Sequence, residues 1–331
     1  MKERYFQILD QFSAKRVLVV GDLMLDRYVF GDVVRISPEA PVQVMNVEGE
    51  VYAPGGASNV ASNVAALGGV AKVVGITGSD ETKNILFSEL KKRGIDVEGV
   101  FMDSMRPTIL KTRVMARGQQ LLRMDTEVKG RFGNGFEQSI SVYVEQVIKD
   151  VDIVVISDYA KGVITEAVGK RVVQAANAWN KAVLVDPKPE NVAVFRGGGV
   201  LVLTPNLGEA KKIIGTADEG VEVIGKKLCS DLGTNVLIKC GERGLSLFNI
   251  DGSFVSLPAN VREVYSVIGA GDTVIATLAL GVAAGATLKE AAVLANIAAG
   301  IKVGKKGTAT VSVDEIKREM ESNGKSYLFG P

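Results

Sequence analysis

The chain has 331 residues, 47% of them hydrophobic, enough to bury a large α/β core. Lys and Arg number 39 against 38 Asp and Glu, and a net charge of +1 excludes a nucleic-acid surface or a polybasic membrane anchor as the main business. There is no histidine, so every mechanism that needs imidazole is excluded.

No apolar run of signal-peptide type precedes the first charged residues, and no uninterrupted apolar segment is long enough to span a bilayer, so a cytoplasmic protein is expected. Cys229 and Cys240 lack any paired metal-ligand spacing and are expected in the core as free thiols.

In chain order, residues 16–20 form the first expected buried strand, and Gly21-Asp22-Leu23-Met24-Leu25-Asp26 follows it. Ligands bind where strands of an open α/β sheet end, so Asp22 and Asp26 are candidates for holding hydroxyl groups, with a turn or cap role as the alternative for either. Residues 28–51 and 97–125 are rich in Val, Thr and alternating polar positions, and both are expected to supply antiparallel strands to a small second sheet that closes over a cleft. Between them, Pro54-Gly55-Gly56-Ala57-Ser58-Asn59 opens a helix, and the paired glycines permit close approach of a ligand beside Asn59. A strand at 71–75 and a helix at 81–93 come next. Read as a strand, residues 108–119 put Lys111, Arg113 and Arg117 on one face and Leu110, Val114 and Ala116 on the other, a basic face suited to an anionic substrate end or to solvent.

Further strands are expected at 153–156, 182–185, 201–203 and 236–238, with a helix at 166–179, and this alternation means a parallel sheet between helical layers. Their ends carry Ser157-Asp158-Tyr159-Ala160-Lys161-Gly162, Asp186-Pro187-Lys188 and Thr204-Pro205-Asn206-Leu207-Gly208-Glu209. Asn206 with Glu209 satisfies a helix capping box, and the same pair can hold a hydrated cation beside phosphates; the spacing alone leaves both open. Leu245–Phe248 and residues 253–256 are expected as a hairpin at the sheet edge.

The most informative window is Gly269-Ala270-Gly271-Asp272, which runs from an apolar stretch into a long Ala/Leu/Val helix. Small residues at a helix N-terminus let main-chain N–H groups cradle phosphate oxygens, and Asp272 in the first turn can take a proton from a hydroxyl beside that cradle. The pairing points to phosphoryl transfer to an alcohol.

In this order the motifs resemble the ribokinase-like, phosphofructokinase-B type carbohydrate kinases over roughly residues 16–315. Gly55-Gly56 with Asn59 is similar to that family's first signature and Gly269-Ala270-Gly271-Asp272 to its second. Asn206 and Glu209 match its Asn-x-x-Glu motif, and Lys239-Cys240-Gly241-Glu242-Arg243-Gly244 its nucleotide-binding strand end. Within the family, residues 35–42, 157–162 and 303–308 resemble the branch acting on a heptose 7-phosphate.

The resemblance implies a ribokinase-like three-layer α/β sandwich, a mostly parallel central sheet with a small antiparallel β lid, in one domain spanning 1–331 and able to form a homodimer through that lid. It implies ATP and magnesium as cofactors, Asp272 as base, and the N–H groups of Gly269, Ala270 and Gly271 as the phosphoryl cradle. Asp22, Asp26, Gly55, Gly56, Asn59, Lys111, Arg113, Arg117 and Lys161 are expected around the sugar phosphate. Lys188, Asn206, Glu209, Lys239, Gly241, Gly244 and Asn296 are expected around the nucleotide, with Asn206 and Glu209 reaching the metal through water.

Three departures stand out. Ser266-Val267-Ile268 replaces an Asp-x-Thr that in relatives helps coordinate an activating monovalent cation, so weak dependence on potassium is expected. Lys239 stands where Thr is common. Relatives fused to an adenylyltransferase carry a histidine motif that this chain lacks, so a stand-alone kinase or the kinase half of a longer enzyme is expected. Another sugar kinase of the same fold, or a silent sugar or nucleotide sensor, is the rival reading.

Overall fold

The computed structural model describes residues 2–328 apart from 129, 131, 134, 260–262 and 306–308, with the backbone path alone for 323–328. Helix α1 (Lys2–Asp10) precedes strands β1 (Arg16–Gly21), β2 (Leu23–Ile36) and β3 (Gln43–Gly56). Helix α2 (Ala57–Ala66) then leads to β4 (Val70–Thr77), α3 (Glu81–Lys92), β5 (Asp96–Met102), β6 (Ile109–Ala116) and β7 (Gln119–Thr126). Next come α4 (Phe136–Val147), β8 (Ile153–Ser157), α5 (Glu166–Ala178), β9 (Ala182–Asp186), β10 (Val202–Leu203), α6 (Leu207–Ile214) and α7 (Val221–Leu232). Strands β11 (Asn235–Lys239), β12 (Leu245–Phe248) and β13 (Phe254–Leu257) and helices α8 (Ala270–Ala283), α9 (Leu288–Val303) and α10 (Val313–Leu328) complete the chain.

The main sheet has nine strands in the order β13-β12-β11-β10-β9-β8-β1-β4-β5, parallel from β11 to β5 and antiparallel at the β12 and β13 edge. Strand β1 shows why its sequence is an unbroken apolar run. Val17 and Val19 enter the core shared with α2, α8 and α9, while Leu18 and Val20 enter the opposite core against α4, α5 and α7. A strand covered on both faces has no polar side to show. Chain order reverses direction between β1 and β8, which sit side by side, so their C-terminal ends flank the crevice where open α/β sheets take ligands.

The second sheet has the order β3-β2-β6-β7. It begins at Leu23 and ends at Thr126, and three expectations about it are corrected. Residues 97–102, expected in the lid, belong to β5 at the edge of the main sheet. The hairpins β2–β3 and β6–β7 are antiparallel, yet the central β2–β6 pair is parallel, with Asp26 opposite Lys111 and Tyr28 opposite Arg113. The cause is connectivity: β2 continues from β1 and β6 follows β5, two parallel strands, so both leave the main sheet in the same direction. The strand expected through residues 108–119 also breaks. Arg117 (φ 49°) and Gly118 (φ 78°) form the turn between β6 and β7, where positive φ at two consecutive residues suits a tight hairpin.

Gly21 closes β1 at the crevice, where a Cβ would stand 2.0 Å from the Ser157 carbonyl oxygen of β8. Neither strand can retreat without opening the sheet, so Gly21→Ala is expected to lower stability by about 1–3 kcal/mol. Gly49→Ala, with nothing within 4 Å of the new atom, should stay within about 0.5 kcal/mol of the parent. Urea unfolding of the two variants distinguishes this packing argument from a general dislike of alanine.

Candidate active site

Asp272 lies in the first turn of α8, 6% exposed, and both its oxygens are held by side chains from distant segments. Tyr159, in the loop after β8, donates its hydroxyl to Oδ1 at 2.7 Å, and Asn59 of α2 donates Nδ2 to Oδ2 at 2.6 Å. Asn59 is itself oriented: Asn63 Nδ2 donates to its Oδ1 at 3.3 Å and to its main-chain carbonyl at 2.8 Å, and Asn63 Oδ1 accepts from Thr273 at 2.7 Å. This polar seam between α2 and α8 leaves Asn59 facing the carboxylate with its amide hydrogens. Burial lifts the Asp272 carboxyl to about 6, the Tyr159 and Asn59 hydrogen bonds opposing it. Such a carboxylate is ionised near neutrality and basic enough to accept a proton from a hydroxyl.

Immediately before it, Gly269 caps the helix in the left-handed region (φ 76°), and a Cβ there would fall 2.8 Å from Asn59 Nδ2. Only glycine suits both the conformation and the space. Ala270 does not fill its expected place in the cradle, because its N–H already reaches the Val267 carbonyl at 3.2 Å. The main-chain N–H groups of Gly269 and Gly271 have no backbone acceptor among the described turn and loop bonds. Lys239, at the end of β11, brings its ammonium to 3.2 Å from where a Gly271 Cβ would be, and pairs with Asp186 at 2.6 Å. A cation and free N–H groups at a helix N-terminus stabilise an anion there.

Asp22 is corrected. It is fully buried and accepts main-chain N–H groups from Tyr159 at 2.8 Å, Lys161 at 3.1 Å and Val163 at 3.1 Å, so its carboxylate is turned into the protein rather than toward a sugar hydroxyl. Its work is to fold the loop after β8 so that Tyr159 points at Asp272. Gly56 (φ 56°) opens α2 against the Asp22 carbonyl, which its missing Cβ would approach to 2.5 Å.

Asp26 makes a buried ion pair with Arg113 at 2.7 Å, and Gly55 lies close enough that a Cβ would meet the Asp26 carboxyl at 3.1 Å. The basic face expected on β6 exists in part and is not bare. Lys111 faces Asp125 at 3.3 Å and Glu127 at 3.4 Å, and Glu127 bridges it to Lys161 at 2.6 Å. Burial works against the Glu127 carboxylate, but Lys161 and Lys111 outweigh it and hold the group below its usual range, while Arg123 and then Lys111 draw Asp125 down to about 2. Arg117 is the exception: it sits in the hairpin turn, largely exposed, paired with Asp32 at 2.8 Å, away from Lys111 and Arg113.

Across the crevice, Asn206 and Glu209 form the full capping box of α6, at 2.8 and 2.9 Å, and the second Glu209 oxygen takes the Lys188 ammonium. Gly241 (φ 62°) faces open space in the turn after β11, whereas Gly244 is a packing glycine whose Cβ would strike the Leu257 carbonyl at 2.1 Å. Asn296 of α9 donates to the Pro258 carbonyl at 2.9 Å. Lys306, Gly307 and Thr308 of the 303–308 motif lie outside the described residues.

Three residues that sequence reasoning did not select belong to this site. Tyr159 and Asp186 were visible as neighbours of Lys161 and Lys188. Glu127 carried no signal, since its role depends on a strand pairing that brings β7 to the loop after β8.

Residues 14–316 match the family described as pfkB family carbohydrate kinase. The Bifunctional protein HldE of Azotobacter vinelandii is 46% identical over 316 residues, as is that of Pseudomonas aeruginosa, covering 95% of this chain and 65% of each relative. The chain therefore spans about two thirds of the length of these curated relatives. Among solved structures, phosphofructokinase-2 from Escherichia coli in complex with potassium aligns with a TM-score of 0.76 at 18% identity, covering 94% of this chain and 99% of that one. Arabidopsis thaliana ribokinase complexed with ribose and ATP aligns with a TM-score of 0.70 at 19% identity, covering 96% and 99%. The fold is ribokinase-like, and the chain belongs to the pfkB family of ATP-dependent carbohydrate kinases.

Proposed function

We propose that the chain phosphorylates the anomeric hydroxyl of D-glycero-β-D-manno-heptose 7-phosphate, giving the 1,7-bisphosphate on the route to ADP-heptose for lipopolysaccharide. The observation that carries this reading is the 46% identity to proteins named bifunctional HldE, which fits a kinase half joined in those relatives to a second activity. Lys111 and Lys161 support it as cations on the lid side of the crevice, exchanging Glu127 for a substrate phosphate.

In this reading Asp272 accepts the hydroxyl proton as the oxygen attacks the γ-phosphorus of ATP, and the Gly269 and Gly271 N–H groups with Lys239 meet the charge on the transferring group. Asp26, Gly55 and Asn59 position the sugar. Lys188 and the open turn at Gly241 lie toward the nucleotide, and Asn296 fixes the segment after β13. Both Glu209 oxygens and the Asn206 Oδ1 already serve the capping box and Lys188, so these residues fit magnesium held through water better than by direct ligation. When bound, the ion would neutralise phosphate charge. The lid exposes Ile36, Val47, Val51 and Leu122, which favours a homodimer through this sheet, and sedimentation equilibrium showing only monomer at micromolar concentration would contradict it.

ADP release should be fastest with the heptose 7-phosphate among phosphorylated sugars, and a preference for fructose phosphates would replace this reading with its rival. Asp272→Asn should lower kcat by roughly two to four orders of magnitude. Protonation disables the base, so the rate should fall as pH drops through about 6, and no such limb should remain in Asp272→Asn. Tyr159→Phe removes a hydrogen bond that favours the ionised carboxylate, which should move the limb to higher pH.

Arg113→Ala would strand the buried Asp26 charge, so Lys161→Met is the cleaner probe of the phosphate contact. Loss of one charge-assisted contact is worth about 1.5–3 kcal/mol, which corresponds to a rise of roughly 10- to 150-fold in KM for the sugar phosphate with KM for ATP unchanged. Equal KM values for the sugar phosphate in Lys161→Met and its parent would remove Lys161 from the site.

A further inference from the structure

Asp158 follows β8 directly, is 2% exposed, and commits each of its oxygens to a different loop. Oδ1 accepts the Ala160 N–H at 2.8 Å, in the loop that carries Tyr159 and Lys161. Oδ2 accepts the Lys188 N–H at 3.3 Å and Asn191 Nδ2 at 3.0 Å, both in the loop after β9. The first loop needs such a hold. Ala160 has φ 55°, in the left-handed region, and a residue with a Cβ persists there only where its surroundings impose it. Asp22 takes the N–H groups of Tyr159, Lys161 and Val163, and Asp158 takes that of Ala160 between them. The two loops also meet through side chains: the Lys188 ammonium stands 5.3 Å from the centre of the Tyr159 ring, and the hydroxyl of that ring donates to Asp272. Burial pushes the Asp158 carboxyl up to about 6, as does the charge of Asp22, while the Ala160, Asn191 and Lys188 donors oppose the shift.

We propose that Asp158 is a positioning residue that holds the sugar-side loop after β8 and the nucleotide-side loop after β9 in one register, so that Tyr159 meets Asp272 while Lys188 meets the nucleotide. It does not touch the reacting atoms and acts through those two side chains. Ionised, Asp158 accepts from all three donors and offers none. An asparagine of the same shape turns its NH₂ either toward the Lys188 and Asn191 donors or, flipped, toward the Ala160 N–H. One loop then loses its acceptor while the other keeps it, and the register between them is lost.

The inference rests on the kinase reading above, and the test separates the two. ADP release with the best sugar phosphate gives kcat, and titration calorimetry gives the Kd of a non-hydrolysable ATP analogue. Asp158→Asn should lower kcat roughly 10- to 100-fold, the scale of a small misplacement at a reacting centre, and weaken the analogue about 3- to 10-fold, the scale of one hydrogen bond. Adding Asn191→Asp restores a donor facing an acceptor across the two loops and should recover most of the analogue affinity. Because the effect on kcat runs through Tyr159, Asp158→Asn added to Tyr159→Phe should cost less than about twofold more. Asp158→Asn with parental kcat and parental Kd overturns the proposal. So does a full additive loss of kcat in the Tyr159→Phe background, or a double exchange that recovers nothing, since either marks a role confined to local packing. Should Asp158→Asn fail to fold, Asn191→Ala decides, because it removes one donor and leaves the Ala160 bond in place: a weakened analogue with an unchanged KM for the sugar phosphate supports the proposal, and a parental Kd overturns it. A parent that releases no ADP with any sugar phosphate tried counts against the substrate assignment, and the analogue titrations still decide the role of Asp158.

Discussion

Everything at this site depends on keeping one carboxylate ionised where water cannot reach it. Asp272 is buried at the head of α8, and burial pushes its carboxyl up, against the ionised form that a base requires. The Tyr159 hydroxyl and the Asn59 amide pull in the other direction and hold it near 6. Each of these two partners is in turn fixed by a further buried polar group. Asn63 and Thr273 orient Asn59, and Asp22 gathers three main-chain N–H groups to shape the loop that carries Tyr159. The polar groups buried between α2, α8 and the β1–β8 crevice thus form one chain of dependence ending at one oxygen pair.

The lid obeys a second constraint, that a cation-rich surface facing a cleft must be compensated when no anion is there. Lys111, Lys161, Arg113 and Arg123 are each matched by Glu127, Asp26 or Asp125. Breaking the buried Arg113–Asp26 pair leaves an unpaired charge in a poorly solvated place, which is more costly than never having had it. The pairs also join β6 and the end of β7 in the lid to the loop after β8, so lid and switch-point loop are electrostatically linked.

Much of this was legible in the chain. Val17 to Val20 had to lie between two helical layers because no polar face interrupts them, and the small residues of the Gly269–Asp272 turn were legible as a helix start with a carboxylate in its first turn. The lid was harder. Residues 97–102 alternate like a lid strand, yet β5 pairs with β4, and nothing local distinguishes a sheet edge from a lid. The parallel β2–β6 pairing follows from the direction in which two strands leave the main sheet, which no window of sequence contains.

Residue type and spacing determined most strands of the main sheet, the Gly-rich start of α8 and the list of charges available to the site. Only the tertiary structure decided what those charges do. Asp22 was a candidate ligand until three N–H groups from residues 159–163 occupied it, and Arg117 left the basic face because a tight turn needs positive φ there. Lys302 is one of two lysines in an Ala-rich helix by sequence, and a buried side chain only once α9 packs against α8. The physical reason is the same in each case: the sequence fixes which groups can ionise or donate, while burial and partners, set by segments far apart in the chain, fix whether they do.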